Sequence, residues 1–298
     1  MYKFFLKILI FFTIGLILWF FFKDYNHKYS FTIDQSPRVV YDHLIRWKHS
    51  NDSLINQIII DKHEGRKLIQ EINIGNYIYR YKWNLKQIDE RETKVIVKVL
   101  DIKNRLNQNL NSLDQQSNFF IINNELIKDF GQSLLQNKKN YFLSDVEISS
   151  IPPLFSAYIT LESSSEDKAL VMRNNIHRVM YYLNDNNIDL LSAPFLEIMH
   201  WNLEKDSLKF NFSFPIVERN YQENNDVNFK KNLERKALKI IFNGNYKISD
   251  RAWLTLLDYA EYNRIDIEKT PIEIFLNDPQ AGGDELDWEA NVYLPLKN

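Results

Sequence analysis

The chain has 298 residues, 45% hydrophobic, 26% charged and 14% aromatic, with 7 Gly, 8 Pro and no Cys. Without Cys it can hold no disulfide framework, zinc finger, iron–sulfur cluster or thiol nucleophile, and its glycines fit neither GxGxxG nor GxxxxGK(S/T), which argues against phosphate-cradling loops. The net charge of −2 divides into +5 for residues 1–150 (21 Lys+Arg, 16 Asp+Glu) and −7 for residues 151–298 (16 and 23), so neither half offers the strongly basic groove of a nucleic-acid binder.

Residues 4–22 read FFLKILIFFTIGLILWFFF, apolar apart from Lys7 and Thr13. A helix of that length spans a hydrocarbon core, and Lys7 can snorkel to the headgroups. A cleaved signal peptide would need small residues after the apolar run, but Trp19-Phe20-Phe21-Phe22-Lys23-Asp24 follows. Residues 1–24 are therefore expected to be an uncleaved single-pass anchor contacting the lipid bilayer through residues 4–22. Lys3 and Lys7 precede the core while Lys23 and Lys28 follow it. This near balance leans only slightly to an amino terminus inside the cell and leaves the side of the soluble part open.

The first soluble unit is expected over residues 27–143. An alternating strand, Tyr29–Asp34, leads to Ser36 as N-cap and Pro37 at the first position of a helix to about Lys48, with Val40, Leu44 and Trp47 as its buried stripe. Extended segments near 55–63, 66–75, 77–88 and 93–103 follow, punctuated by Gly65 and Gly75-Asn76. The polar stretch Asn104–Asn118 reads as a loop or a strand extension, and Phe119–Asn140 as a helix through Ile122, Leu126, Phe130 and Leu134. Period 2 places Tyr77, Tyr79, Tyr81 and Trp83 on one strand face, which is either a cavity wall or core against that helix. This is a helix-grip layout, and the run Phe31–Leu44 with Trp47 resembles the opening of START-like (SRPBCC) domains. The resemblance implies a lipid-handling or interaction role.

Residues 144–298 contain an internal repeat. Asn187–Ile198 aligns without gaps to Arg264–Phe275 at an offset of 77, and at that offset Ile176, Val179 and Tyr182 meet Trp253, Leu256 and Tyr259. Leu208–Pro215 matches Trp288–Pro295. Each half, about 144–218 and 236–298, reads as strand, helix, strand, strand. The expected class is α+β: a transmembrane helix, a helix-grip antiparallel sheet domain, then a duplicated β-α-β-β domain.

The second half carries Phe242-Asn243-Gly244-Asn245-Tyr246, Asp250-Arg251-Ala252-Trp253, Pro271–Pro279 and Val292–Leu296. These resemble the Gly-x-Tyr turn, Ala-Trp helix and third and last strands of the GyrI-like, AraC-effector-binding family. The resemblance implies a pocket for small, often cationic or aromatic, molecules, and in some branches a hydrolase; with the expected anchor and first unit ahead of it and no helix-turn-helix evident in the sequence, the expected protein is a bacterial membrane-anchored sensor without its own DNA-binding segment. The family's last-strand Glu falls at Asn291, with Glu289 the nearest acid on that face, and the His two residues before its Gly is Phe242. Both departures weaken the hydrolytic reading more than the binding one.

Glu289, Asn291 and Tyr293 share the polar face of the last strand, as Lys209, Asn211 and Ser213 do on its repeat partner. Tyr246 and Trp253 are candidate ring partners for an organic cation, although Trp253 also lies on an apolar helix stripe. Glu197 and Glu273 stand one residue out of register between the repeats, so at most one should occupy a shared pocket position. A hydrolase would use Glu289 or Glu273 as general base. The six histidines form no HExxH or i, i+4 pair, and no metal, cofactor or catalytic set is expected. The expected partner is a small amphipathic or cationic organic ligand.

Overall fold

The computed structural model describes residues 2–47, 55–63, 65–203, 205–222 and 226–297. Helix α1 (Tyr2–Phe22) is apolar on every side, and its window Phe4–Phe22 is not buried by the rest of the chain. It belongs with the first of two units, Met1–Ile88 with Glu92–Leu135; the second is Asp89–Arg91 with Gln136–Asn298.

In the first unit, strand β1 (His27–Ile33) leads to helix α2 (Pro37–Arg46), which opens on Ser36 and Pro37 as the sequence predicts. Lys48, where the sequence places its end, lies outside the described residues. Strands β2 (Ile55–His63), β3 (Lys67–Ile74), β4 (Tyr77–Asp89) and β5 (Glu92–Asp101) follow. They form an antiparallel sheet in the order β1-β5-β4-β3-β2. The polar stretch expected as a loop contains helix α3 (Arg105–Asn111). The long helix α4 (Asn118–Lys138) comes next.

Leu126, Phe130 and Leu134 of α4 are buried against Leu68, Ile72, Val95, Val97 and Val99 of the sheet. The aromatic face of β4 belongs to this core. Tyr79 meets Phe119 at 5.7 Å and Trp83 meets Phe130 at 4.8 Å, both edge to face, and the Tyr81 hydroxyl donates to Asn123 Oδ1. Such edge-to-face pairs add about 1 kcal/mol each beyond the area they bury.

The second unit contains β6 (Tyr141–Leu143), β7 (Glu147–Ile151), β8 (Leu154–Ser163), α5 (Lys168–Asp185), β9 (Phe195–Asn202), β10 (Ser207–Pro215), β11 (Asn228–Asn232), β12 (Arg235–Gly244), α6 (Asp250–Asn263), β13 (Ile272–Phe275) and β14 (Glu289–Pro295). Its antiparallel sheet runs β11-β8-β10-β9-β13-β14-β12-β6, with β7 also on β12. Tyr141–Leu143, counted with the first unit in the sequence reading, is thus an edge strand of the second. Around the centre the order is mirrored: β8-β10-β9 abuts β13-β14-β12, each set built as strand, helix, strand, strand.

At the seam Phe195, Leu196 and Glu197 pair with Ile274, Glu273 and Ile272. Adding 77 to 195, 196 and 197 gives 272, 273 and 274, so the pairing maps onto itself about Leu196–Glu273. One sheet face carries Ile159, Phe210, Phe212, Leu196, Val292, Leu294 and Ile240 against Val179, Leu183, Trp253 and Leu256 of the helices.

Pro152 and Pro153, as a link of only two residues, require the sheet to curl. They are the whole link between β7, paired to β12, and β8, paired to β10. Ile151 and Leu154 therefore lie within about 11 Å of each other, the reach of three extended residues. In a flat sheet the six strand spacings between β8 and β7 would set them about 29 Å apart. The face away from the helices becomes the concave one. Ile151, Phe195, Ala237, Ile272 and Tyr293 pack together there.

Candidate functional site

The period-2 register of the second sheet sorts the sequence-predicted residues onto two sides. Glu197 pairs across to Asn211 and Ile272, Asn211 to Thr160, Ile272 to Tyr293, and Tyr293 to Lys239. Directly paired residues share a face, so Glu197, Asn211 and Tyr293 lie in one row across the concave side. Asn291 lies in the next row with Ile274, Phe195 and Ser213. Glu289 opens β14 on the same face, opposite Asn243 at the end of the ladder. Asp287 lies in a 3-10 turn just before that strand.

Glu273, Trp253 and Tyr246 fall on the helix side. Trp253 is fully buried among helix and sheet residues. The Tyr246 hydroxyl donates to the Glu289 carbonyl at 2.8 Å and accepts from Asn277 N at 3.2 Å, stapling the turn before α6 to the start of β14. Gly244, two residues earlier, has φ +150°, and a Cβ there would stand 2.9 Å from the Phe242 ring and 3.0 Å from the Asn140 carbonyl. The Gly-x-Tyr turn is therefore a packing requirement in this chain. Glu273 and Glu197 occupy opposite faces, as their one-residue offset demands.

Glu273 sits at the seam, fully buried, and among the described residues neither carboxylate oxygen meets a partner at hydrogen-bond geometry. Burial pushes its carboxyl up to about 7, against opposing pulls from Lys168, Ser249 and Trp253. Lys168, itself fully buried, donates to the Tyr246 carbonyl at 2.8 Å and lies 5.3 Å from the Trp253 ring centre. Beside it Arg251 and Asp250 form a buried pair at 3.2 Å. This group ties the starts of the two helices together beneath the sheet.

The concave side also holds residues that the sequence reading passed over. Lys230, on β11, reaches across the curl to form an ion pair with Glu197; their side chains are only 22% and 13% exposed. The same ammonium lies 5.5 Å from the centre of the Tyr158 ring. Burial, with a smaller contribution from Arg235, pulls Lys230 down to about 8. Thr160 donates to Asn211 Oδ1 at 2.9 Å. Among the described residues the buried hydroxyls of Ser156 and Ser213 have no hydrogen-bonding partner, and burial raises the Tyr293 hydroxyl.

The polar face is thus enclosed in part: Asn211, Ser213 and Ser156 are buried, while Lys209 stays exposed. Alternation in Asn228-Phe229-Lys230-Lys231-Asn232 was the available signal for Lys230, because it sets the lysine opposite the core residue Phe229. A cation held between a carboxylate and a ring face, beside unfilled hydroxyls, is chemically suited to exchange for another cation.

No family model matches the chain, and no curated protein matches it. Among solved structures, the chain is similar to the EcmrR C-terminal domain over 52% of its own length and 98% of that chain, at 14% identity and a TM-score of 0.45. It is similar to SAV2435 bound to tetraphenylphosphonium over 52% of its length and 95% of that chain, at 10% identity and a TM-score of 0.35. It is similar to a hydrolase from Listeria innocua over 55% and 98%, at 10% identity and a TM-score of 0.34.

Proposed function

We propose that this chain is a membrane-anchored small-molecule-binding protein whose ligand enters the concave side of the second sheet. The observation that carries the reading is the Glu197–Lys230–Tyr158 group beside the partnerless Ser156 and Ser213 hydroxyls. Buried polar atoms left unfilled are costly and are what a ligand supplies. The ligand is a small amphipathic organic cation: its charge replaces the Lys230 ammonium at Glu197, its rings lie on Tyr158 and Phe195, and Asn211, Asn291 and Tyr293 offer polar contacts. The mirrored strand orders and the self-mapping seam support duplication of a β-α-β-β half, and with the Gly-x-Tyr and Ala-Trp motifs they support a GyrI-like effector-binding domain. Residues 4–22 supply the anchor.

Of the two general bases a hydrolase could use, Glu289 and Glu273, only Glu289 lies on the concave face. A general base must reach the proton it removes, and Glu273 is enclosed on the helix side, away from the concave face. For the first unit, the strand and helix order fits a helix-grip domain.

The test is equilibrium binding of a fluorescent organic cation, rhodamine 6G, to the full chain in lipid nanodiscs, read by polarisation. Saturable binding weakened at least about tenfold, or 1.4 kcal/mol, by Glu197→Ala and by Asn291→Ala supports the proposal. Binding to empty nanodiscs alone, or binding indifferent to both substitutions, overturns it.

A further inference from the structure

Helix α3 is built inside out. Its buried residues are the polar Gln108 and Asn109, joined by Ser112 at the helix end. Its two leucines and the one in the turn just after it, spaced i, i+4 and i+7, are outward: Leu106 is 58% exposed, Leu110 56% and Leu113 69%. A surface helix in water shows the reverse arrangement. A buried polar group or an exposed apolar stripe is informative where an isolated exposed Leu is not.

The buried polar residues hold α3 against the carboxyl end of α1. Arg105 Nη2 donates to the Phe22 carbonyl at 2.6 Å and to that of Lys23. Asn109 Nδ2 donates to the carbonyls of Phe20 and Phe21 at 3.1 and 3.2 Å. Asn26, almost fully buried, fixes the corner: its Nδ2 donates to the Arg105 carbonyl at 2.7 Å and to Asn109 Oδ1 at 2.8 Å, and its Oδ1 accepts from Asp101 N at 2.7 Å. These bonds satisfy carbonyls that the end of α1 would otherwise leave open. They also fix the height of α3 relative to that end. The end of α1 carries residues suited to an interface, with the Lys23 ammonium 5.8, 4.8 and 4.9 Å from the ring centres of Trp19, Phe20 and Tyr25.

We infer that α3 is a second, monotopic membrane contact: Leu106, Leu110 and Leu113 insert into the surface of the leaflet from which α1 emerges. The inference rests on the anchor reading of residues 4–22. The occupant follows from continuity, because a stripe bonded to the last turn of a spanning helix lies at the depth where that helix leaves the hydrocarbon. Buried apolar area is what binds such a helix to the headgroup boundary, and the covalent link through α1 makes the contact intramolecular. The first unit is thereby held at the bilayer at two points.

Because the chain has no Cys, single-cysteine labelling tests this directly. Phe12→Cys, Leu110→Cys and Gln132→Cys chains, each carrying an environment-sensitive nitrobenzoxadiazole label, are reconstituted in phosphatidylcholine–phosphatidylglycerol nanodiscs, with folding checked by circular dichroism. Position 12 reports the anchor, 110 reports α3, and 132 is an exposed control on α4. At position 110 the expected result is blue-shifted emission, iodide quenching several-fold weaker than at 132, and strong quenching by a shallow doxyl lipid. Protection at 12 with 110 as iodide-accessible as 132 overturns the inference and leaves the anchor standing. Iodide access at both 12 and 110 overturns both. Protection at 110 from iodide and doxyl lipid alike assigns the stripe to a protein contact and overturns the inference.

Discussion

At the scale of single residues, two buried charged groups make opposite demands on pH. Lys230, drawn down to about 8, surrenders its proton just above neutrality, and its claim on Glu197 goes with it. A permanently charged organic cation should therefore bind more tightly at pH 9 than at pH 7. Lys230→Met should raise affinity at pH 7 by about tenfold or more, since removing a buried competitor at 1.4 kcal/mol per decade is the minimum expected of an ion pair this enclosed. The same variant should lose the pH dependence, and calorimetric titration at the two pH values checks both. Glu273 behaves differently. Its folded value of about 7 lies above its ordinary 4.5, so between those limits the folded chain holds a proton that the unfolded chain has released. Stability then falls as pH rises from about 4.5 to 7 and is level beyond. The gap corresponds to about 3 kcal/mol, an order-of-magnitude figure, because each pH unit is worth about 1.4. Glu273→Gln should remove most of that fall, so urea midpoints of variant and parent should agree near pH 5 and separate by pH 8, the variant being the more stable.

At the scale of elements, the curl of the second sheet depends on Pro152-Pro153. Proline fixes φ and supplies no ladder N–H, so the chain leaves β7 and enters β8 without running on as one flat strand. Replacing both by Gly should cost about 1–2 kcal/mol, mostly through unfolded-state entropy, and should weaken ligand binding more than distant substitutions of equal cost. Chemical denaturation beside the polarisation assay separates the two effects. Much at this scale was legible in the sequence. The Leu126–Phe130–Leu134 stripe predicts α4, Gly65 and Gly75 bracket β3, and the offset of 77 predicts two segments of like order, strand, helix, strand, strand, without saying which strands pair between them. Helix α3 was not legible as a helix, because Asn and Gln dominate the window and propensity calls it a loop. The spacing of Leu106, Leu110 and Leu113 was present in the sequence. It is discounted when apolar residues are assumed to face inward. The enclosure of Asn211 and Ser213 was also out of reach, since strand alternation says which residues share a face and never whether that face curls shut. Lys230 shows the same limit from another direction: its partner Glu197 is 33 positions away, and only the strand order β11-β8-β10-β9 brings them together.

At the scale of the molecule, the apolar helix α1 and the two units belong to one chain. Helix α1, 21 residues long, extends about 32 Å at 1.5 Å per residue, enough to cross a bilayer core with little tilt. Three outward leucines on a short helix and the turn after it are a much weaker attachment, since a single modest hydrophobic signal gives only reversible binding. The two contacts should therefore separate cleanly on deletion. A chain lacking residues 2–22 should leave the membrane pellet after alkaline carbonate extraction, while the full chain stays. The deleted chain should still float weakly with anionic vesicles, more so at low salt, because residues 23–150 keep 19 Lys+Arg against 16 Asp+Glu, an excess of +3, and surface attraction is screened within about 10 Å at 0.1 M salt. Leu106→Asn with Leu110→Asn in the deleted chain should abolish the remaining flotation. Full retention of the deleted chain after carbonate would show that residues 2–22 do not hold the protein, and the division of labour between α1 and α3 would fail with it. If the expected pattern holds, the binding unit remains confined to the membrane surface at all times. A ligand that is both cationic and amphipathic is itself concentrated at that surface by the hydrophobic and electrostatic terms that hold the protein there.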